Sequence, residues 1–86
     1  MNELSLFQFG PQEVRELEKD GEPWFVAKDV AEILGYRNAP DMVRNLDEDE
    51  SDTQILRIRS DNGVEQNREI TLINEAGLYS AILRST

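Results

Sequence analysis

Five basic side chains in the middle of the chain have chemistry that suggests a binding function. They are Lys28, Arg37, Arg44, Arg57 and Arg59. Ammonium and guanidinium groups donate hydrogen bonds to phosphate oxygens, and such contacts supply much of the affinity of proteins for nucleic acids. If the fold gathers these residues on one face, they form a patch that contacts phosphate. The alternative is that each arginine pairs with a nearby acid, and exposed pairs of that kind contribute only ~0–1 kcal/mol to stability.

The distribution of charge bears on whether those side chains can contact phosphate. The net charge is −9, which disfavours nonspecific binding to nucleic acid. Residues 1–26 have six acids and two bases, and residues 47–52 have five acids and no base. Residues 27–46 have three of each, and residues 53–86 have four of each. The five basic residues therefore lie in segments of balanced charge, and we expect any DNA binding to be weak and sensitive to salt.

Side chains that perform catalysis or bind metals are scarce. The chain has no cysteine and no histidine, so disulfides, the usual zinc sites and the common nucleophile–base pairs are excluded. The spacing of its carboxylates, hydroxyls and two tyrosines matches no catalytic arrangement. We therefore expect a binding protein that is not an enzyme and that needs no cofactor.

The acidic run at residues 47–52 starts like a calcium-binding loop but does not complete one. Such a loop needs acids at its first, third and fifth positions, glycine at the sixth and glutamate at the twelfth. Asp47 and Asp49 fit, but the sixth position is Asp52 and the twelfth is Ile58. We expect no metal site, and we interpret the run as a solvated loop in which nothing is buried.

Four aromatic side chains are candidates for stacking on nucleic-acid bases: Trp24, Phe25, Tyr36 and Tyr79. In a small domain, aromatic residues more often form the core, and we expect this for Trp24. Neighbouring residues of a strand point to opposite faces, so at most one of Trp24 and Phe25 is expected to be central.

Turn signals divide the start of the chain into three predicted strands. An apolar run from Leu4 to Phe9 ends at Gly10-Pro11 and predicts the first strand. The second runs from about Glu13 to Lys19, and Asp20-Gly21 is typical of a two-residue hairpin turn. The bulky residues Trp24–Val26 predict the returning strand.

Helical spacing follows, and it raises the question of a DNA-binding helix-turn-helix. A helix is predicted over Lys28–Leu34, with a second helix after Asn38, a good N-cap residue. The helix-turn-helix pattern needs a small residue and then a turn glycine, and Ala31 and Gly35 meet that need. It also needs apolar residues six and nine positions after the glycine, where Asp41 and Arg44 stand; the apolar residues come two positions later, at Val43 and Leu46. The spacing therefore favours two short helices packed on a sheet, with Gly35 as a plain helix end.

A second hairpin is predicted after the acidic run. Leu56 and Ile58 alternate with Arg57 and Arg59, which indicates a strand with both arginines on the face opposite the apolar pair. Asn62-Gly63 is a strong hairpin-turn pair. The return strand is expected at Arg68–Ile73, followed by a helix that Asn74 caps and whose apolar side contains Leu78, Ala81 and Ile82.

These elements predict a single α+β domain, with a small antiparallel sheet from two hairpins and three short helices. A length of 86 residues fits one domain.

No apolar stretch approaches the ~20 residues that a membrane span needs. Residues 1–9 lack the basic start and the long apolar stretch of a signal peptide. We expect the protein to stay where it is made, in the cytoplasm.

Two sequence blocks resemble a known family. GEPWFVAKDVAEILGY at residues 21–36 and LINEAGLYSAILRS at residues 72–85 resemble the most recognisable stretches of the BRO family amino-terminal domain. That domain occurs in phage antirepressors and in proteins of large insect DNA viruses. The lead-in VRELEKDGEPWFV, residues 14–26, resembles its opening hairpin. The resemblance covers about residues 4–86.

The resemblance implies a DNA-binding domain of a phage or prophage antirepressor, a regulator of transcription. Members of the family typically continue past the region equivalent to Arg84-Ser85 and carry a separate C-terminal domain. We therefore expect residues 1–86 to be one BRO-type amino-terminal domain, truncated at its C-terminal end. The alternative is a protein-interaction module that binds a repressor without contacting DNA, because an acidic surface suits a partner with a basic DNA-binding face.

Overall fold

A computed structural model describes residues 5–59 and 63–85 of the chain, and only the backbone of residues 58 and 59. The described part contains five strands, three α-helices and one 3₁₀ turn. In chain order they are β1 (Ser5–Phe9), β2 (Gln12–Lys19), β3 (Glu22–Val26), α1 (Ala27–Leu34), α2 (Ala39–Val43), the 3₁₀ turn (Glu48–Glu50), β4 (Ser51–Arg59), β5 (Glu65–Asn74) and α3 (Glu75–Arg84).

The strands form one antiparallel sheet in the order β1-β2-β3-β5-β4, which confirms the predicted α+β fold. β3 pairs with β5 at three positions only, from Trp24↔Asn74 to Val26↔Leu72. β5 pairs with β4 from Glu65 to Ile73. Residues 53–59 and 65–71 therefore pair only with each other, and we call this two-stranded extension the β4–β5 arm.

The predicted turn and cap residues have the expected backbone geometry. Asp20 and Gly21 both have positive φ, 53° and 79°, as a type I′ hairpin turn requires. Gly35 ends α1 in the left-handed region with φ 85°, where a side chain would be strained. Asn38 and Asn74 cap α2 and α3 by accepting hydrogen bonds from backbone N–H groups in the first turn. Local sequence thus determines where these elements begin and end.

The structure agrees with two short helices packed on a sheet. α1 has eight residues and packs on β2, β3 and β5, while α2 has five residues and packs on α1. The mid-helix residues Val30, Ala31 and Met42 are buried. α2 has fewer than two turns, too short for a recognition helix laid along a DNA groove.

Both faces of the sheet are buried near β3, so the expectation that only one of Trp24 and Phe25 is central is wrong. Phe25 lies in the core beneath the helices, and its ring meets that of Phe7 edge to face at 5.1 Å between centroids. Trp24 lies in a second core on the opposite face and is 8% exposed, as predicted for this residue. The second core also contains Leu17, Val26, Leu56 and Leu72.

The interpretation of residues 47–52 as a solvated loop is wrong for the second half of the run. Ser51 and Asp52 already belong to β4, where they pair with residues of β5, and both are half-buried. Lys19 forms a salt bridge with Asp52. The hydrogen bond from Lys19 lowers the pKa of Asp52, with a further contribution from the Gln54 amide. Sheet pairing and a neutralising lysine thus bring this end of the acidic run into the fold.

The second hairpin begins its return earlier than predicted, because β5 starts at Glu65 rather than at Arg68. Of the predicted turn pair, Asn62 lies outside the described residues, and Gly63 has a positive φ of 86°.

Among the described residues no helix is long and apolar enough to cross a membrane. The same part of the chain contains no cluster of acidic side chains placed to hold a metal ion.

Candidate nucleic-acid interface

A groove of about 650 Å³ lies between the helices and the β4–β5 arm. One wall consists of α1, the link to α2 and the start of α2, and the other wall is β5. We call it the α1–β5 groove. Its lining comprises Arg15, Val26, Lys28, Ala31, Glu32, Tyr36, Arg37, Asn38, Ala39, Pro40, Gln66, Arg68, Glu69, Ile70 and Thr71.

The groove exists because the chain leaves the sheet at the end of β3. β3 ends at Val26 and α1 begins at the next residue, so among the described residues no strand pairs with residues 65–71 of β5 on the side away from β4. α1 instead runs back over β2 and β5. Lys28 lies in the first turn of this helix, and Arg68 lies across the groove on β5.

Positive charge is concentrated around the α1–β5 groove in an otherwise acidic protein. Of the nine lysines and arginines in the chain, four line it: Arg15, Lys28, Arg37 and Arg68. Two acids, Glu32 and Glu69, also line it, so the lining residues sum to +4 − 2 = +2, before the ion partners of Arg15 and Arg37, which are Asp29 and Asp41, are counted. Like-signed groups in a concave surface raise the local potential and attract phosphate.

Arg15 is held against α1 by a bidentate ion pair with Asp29. Its Nε and Nη2 donate to the two carboxylate oxygens at 2.9 Å each, and its backbone N–H donates at 3.0 Å. Partial burial alone raises the pKa of Asp29, but the hydrogen bonds from Arg15 outweigh it and bring that pKa below its ordinary value. The pKa of Arg15 is raised, chiefly by its hydrogen bond to Asp29. This pair fixes α1 against β2 and sets one side of the groove.

We expect Asp29→Asn to lower the free energy of unfolding by about 1 kcal/mol at neutral pH, a charge-assisted hydrogen bond discounted for the exposure of Arg15. Because the folded-state pKa of Asp29 is depressed, its stabilisation is fully present above the unfolded value of about 3.9 and is lost as pH falls through the folded pKa. The difference from wild type therefore shrinks below about pH 4 in urea titrations.

Glu18→Gln is the matched control for that variant, since it removes one negative charge from an exposed position of β2. It should leave the unfolding free energy within about 0.5 kcal/mol of wild type. A loss in Asp29→Asn that is the same at every pH would contradict a role for the Asp29 charge.

The remaining basic residues of the groove are available for contacts with a ligand. None of the salt bridges between described residues involves Lys28 or Arg68, and within that part of the chain the Arg68 side chain donates to Gln66, at 3.2 Å. Arg37 lies 3.4 Å from Asp41 but keeps 84% of its side chain exposed. Exposed pairs of this kind are weak, so a phosphate can replace the carboxylate.

The structure brings together only some of the five basic residues that the sequence indicated. Lys28 and Arg37 line the α1–β5 groove. Arg44 is absent from its lining and forms a salt bridge with Asp41. Arg57 lies on the β4–β5 arm, 3.4 Å from Glu65, and the side chain of Arg59 lies outside the described residues.

Sequence reasoning missed Arg15 and Arg68. Arg15 lies in the acidic segment 1–26. Arg68 is the single basic residue of β5, among acidic and uncharged polar neighbours. Only the turn of the chain from β3 into α1 brings them beside Lys28. No local pattern indicates this approach, because 25 residues of chain, 41–65, lie between the two walls of the groove.

The aromatic residues do not form a stacking platform. Tyr36 lines the groove, but its hydroxyl donates to the carbonyl of Ala81 at 2.8 Å, which fixes the ring against α3. Trp24 and Phe25 are buried in the two cores. Tyr79 is 59% exposed on α3 and does not line the groove.

The sequence was also compared with known proteins. The sequence model of the BRO family, N-terminal domain, matches residues 13–86, which include β2, except for its first residue, and every later element. Neither the curated proteins nor the solved structures gave a match. The matched segment contains every residue that lines the α1–β5 groove. The chain therefore belongs to the BRO family and contains the N-terminal domain of that family.

Proposed function

We propose that this domain binds duplex DNA through the α1–β5 groove, as the DNA-binding part of an antirepressor-type transcription regulator of a phage or prophage. It acts in the cytoplasm of the host cell and is a binding domain rather than an enzyme. One observation carries the proposal: four of the nine basic side chains surround one groove in a chain of net charge −9. Membership of the BRO family supports it.

Three of the groove side chains are placed to contact phosphate. Lys28 and Arg37 lie on the helical wall and Arg68 on the strand wall, while Arg15 is engaged by Asp29. Three phosphate contacts correspond to a slope of about −2.7 in log affinity against log salt. The β4–β5 arm is a two-stranded ribbon, a shape that the DNA major groove admits.

Acidic surface elsewhere restricts how DNA can approach. Exposed acids occupy the β2–β3 hairpin and the 3₁₀ turn, among them Glu18, Asp20, Glu22, Glu48 and Asp49. These groups repel phosphate, whereas the groove attracts it. A single orientation of bound DNA follows, with modest affinity, because few phosphates are contacted.

The test is a titration of a fluorescent duplex with the domain between about 50 and about 200 mM salt. With three phosphate contacts, affinity should fall about 40-fold over that range. Arg68→Gln should reduce the steepness of the slope by about 0.9. Arg84→Gln is the matched control, since Arg84 is exposed at the end of α3 and does not line the groove. Equal slopes for the two variants would contradict DNA binding at this groove.

Protein binding without DNA contact is the second candidate function. The net charge of −9 and the exposed acids favour it, because they complement a partner with a basic surface. Absence of duplex binding at the lowest salt concentration, together with binding to a repressor protein, would select this function over the first.

A further inference from the structure

β5 has an open hydrogen-bonding edge. Its residues 66–71 pair with β4 on one side, and β3 reaches only Leu72–Asn74 on the other. No backbone hydrogen bond between described residues outside the sheet involves residues 66–71. The backbone groups on this side are therefore available to a further strand.

The α1–β5 groove runs along this edge. Arg68 and Glu69 are neighbours in a strand, so their side chains point to opposite faces of the arm, yet both line the groove. This is possible when the groove follows the edge between the two faces. Apolar residues Val26, Ala31 and Ile70 also contribute to the lining. The result is a channel with strand backbone on one side and helices on the other.

We propose that an extended acidic peptide segment of a partner protein binds in this channel by adding a strand to β5. The six residues 66–71 offer an edge of about 20 Å. Strand addition supplies main-chain hydrogen bonds, and the flanking side chains select the peptide. Lys28 and Arg37 on one side and Arg68 on the other pair with carboxylates of the peptide. The proposal goes beyond DNA binding and does not depend on it.

The channel suits one added strand. Its strand wall is residues 66–71 of β5 and its other wall consists of α1, the link to α2 and the start of α2, so an added strand would lie between β5 and the helices. The basic side chains Lys28, Arg37 and Arg68 around the channel disfavour a basic segment and favour an acidic one.

The experiment uses a fluorescent synthetic peptide of alternating glutamate and valine, with both ends blocked. Its first control has the same sequence with alternate backbone nitrogens methylated, and its second replaces glutamate with lysine. We expect the glutamate peptide to bind and the methylated peptide to bind at least about tenfold more weakly, because two or more backbone hydrogen bonds are lost. The lysine peptide should not bind. In hydrogen exchange, bound glutamate peptide should protect amides within residues 66–71.

Arg68→Glu should weaken binding of the glutamate peptide, and Arg84→Glu should leave it unchanged. Equal binding of the methylated and unmethylated peptides, or exchange in residues 66–71 unaffected by peptide, would overturn strand addition. Absence of binding by the glutamate peptide would do the same. These measurements contain no DNA, so their failure is separate from failure of the DNA titration.

Discussion

Replacing Trp24 with alanine is expected to lower the free energy of unfolding by about 3–5 kcal/mol, as for aromatic truncations in cores. The side chain is 8% exposed and packs in the second core with Leu17 and Leu72, which are 1% and 0% exposed. The Lys19 ammonium lies 4.7 Å from the centroid of the ring and adds a cation–π contact.

The urea midpoint of unfolding measures this loss. Trp24→Phe is an informative companion variant, because the indole N–H has no hydrogen-bond partner among the described residues and phenylalanine leaves no donor unpaired. It should cost less than Trp24→Ala. Tyr79→Ala, at a 59% exposed site, should change stability by no more than about 0.5 kcal/mol. A midpoint for Trp24→Ala equal to that of wild type would show that the second core does not form.

Replacing Gly77 with alanine should destabilise the protein by about 1–3 kcal/mol, although alanine is the better helix former. Gly77 lies in the first turn of α3 and is buried against the 3₁₀ turn. A Cβ at this position would lie 2.7 Å from the backbone oxygen of Glu50 and 3.2 Å from Cβ of Ile73. The backbone oxygen of Glu50 cannot make room by changing rotamer, as a side chain could. The helix α3 must therefore shift.

Ala76→Gly is the matched control for that change, since Ala76 is exposed in the same helical turn. Helix propensity alone predicts that this variant loses about 0.5–1 kcal/mol and that Gly77→Ala gains about as much. Thermal unfolding of both variants separates the two effects. A higher melting temperature for Gly77→Ala would contradict close packing of α3 on the 3₁₀ turn.

The element boundaries were predictable because short-range chemistry determines them. Asp20-Gly21 needs no distant partner to form its turn, and Asn38 and Asn74 cap helices with their own side chains. Gly35 ends α1 through its own backbone conformation. Agreement between such local preferences and the global fold is typical of natural sequences.

Features that depend on distant pairing were not predictable. Asp52 enters the fold because Lys19, 33 residues earlier, neutralises it. Both Trp24 and Phe25 are buried because residues of β5, such as Leu72 and Ile73, lie beside them on the two faces of the sheet. Alternation in a single strand cannot indicate that both of its faces are covered.

For the same reason, only two of the four basic residues that line the α1–β5 groove were predicted from the sequence. Lys28 and Arg37 lie in one segment whose charge is balanced, so composition identified them. Arg68 became a site residue only through the register of β5 against β3 and β4. Register depends on the whole sheet, and one sequence read locally does not determine it.

Backbone amide chemical shifts of the labelled domain, recorded as duplex DNA is added at low salt, test DNA binding at the α1–β5 groove most directly. The shifts should change in residues 26–40 and 66–71, which form the two walls. They should stay constant in the acidic hairpin turn at residues 18–22. Shift changes confined to α3 or to residues 47–52, with both walls unaffected, would contradict the proposed interface.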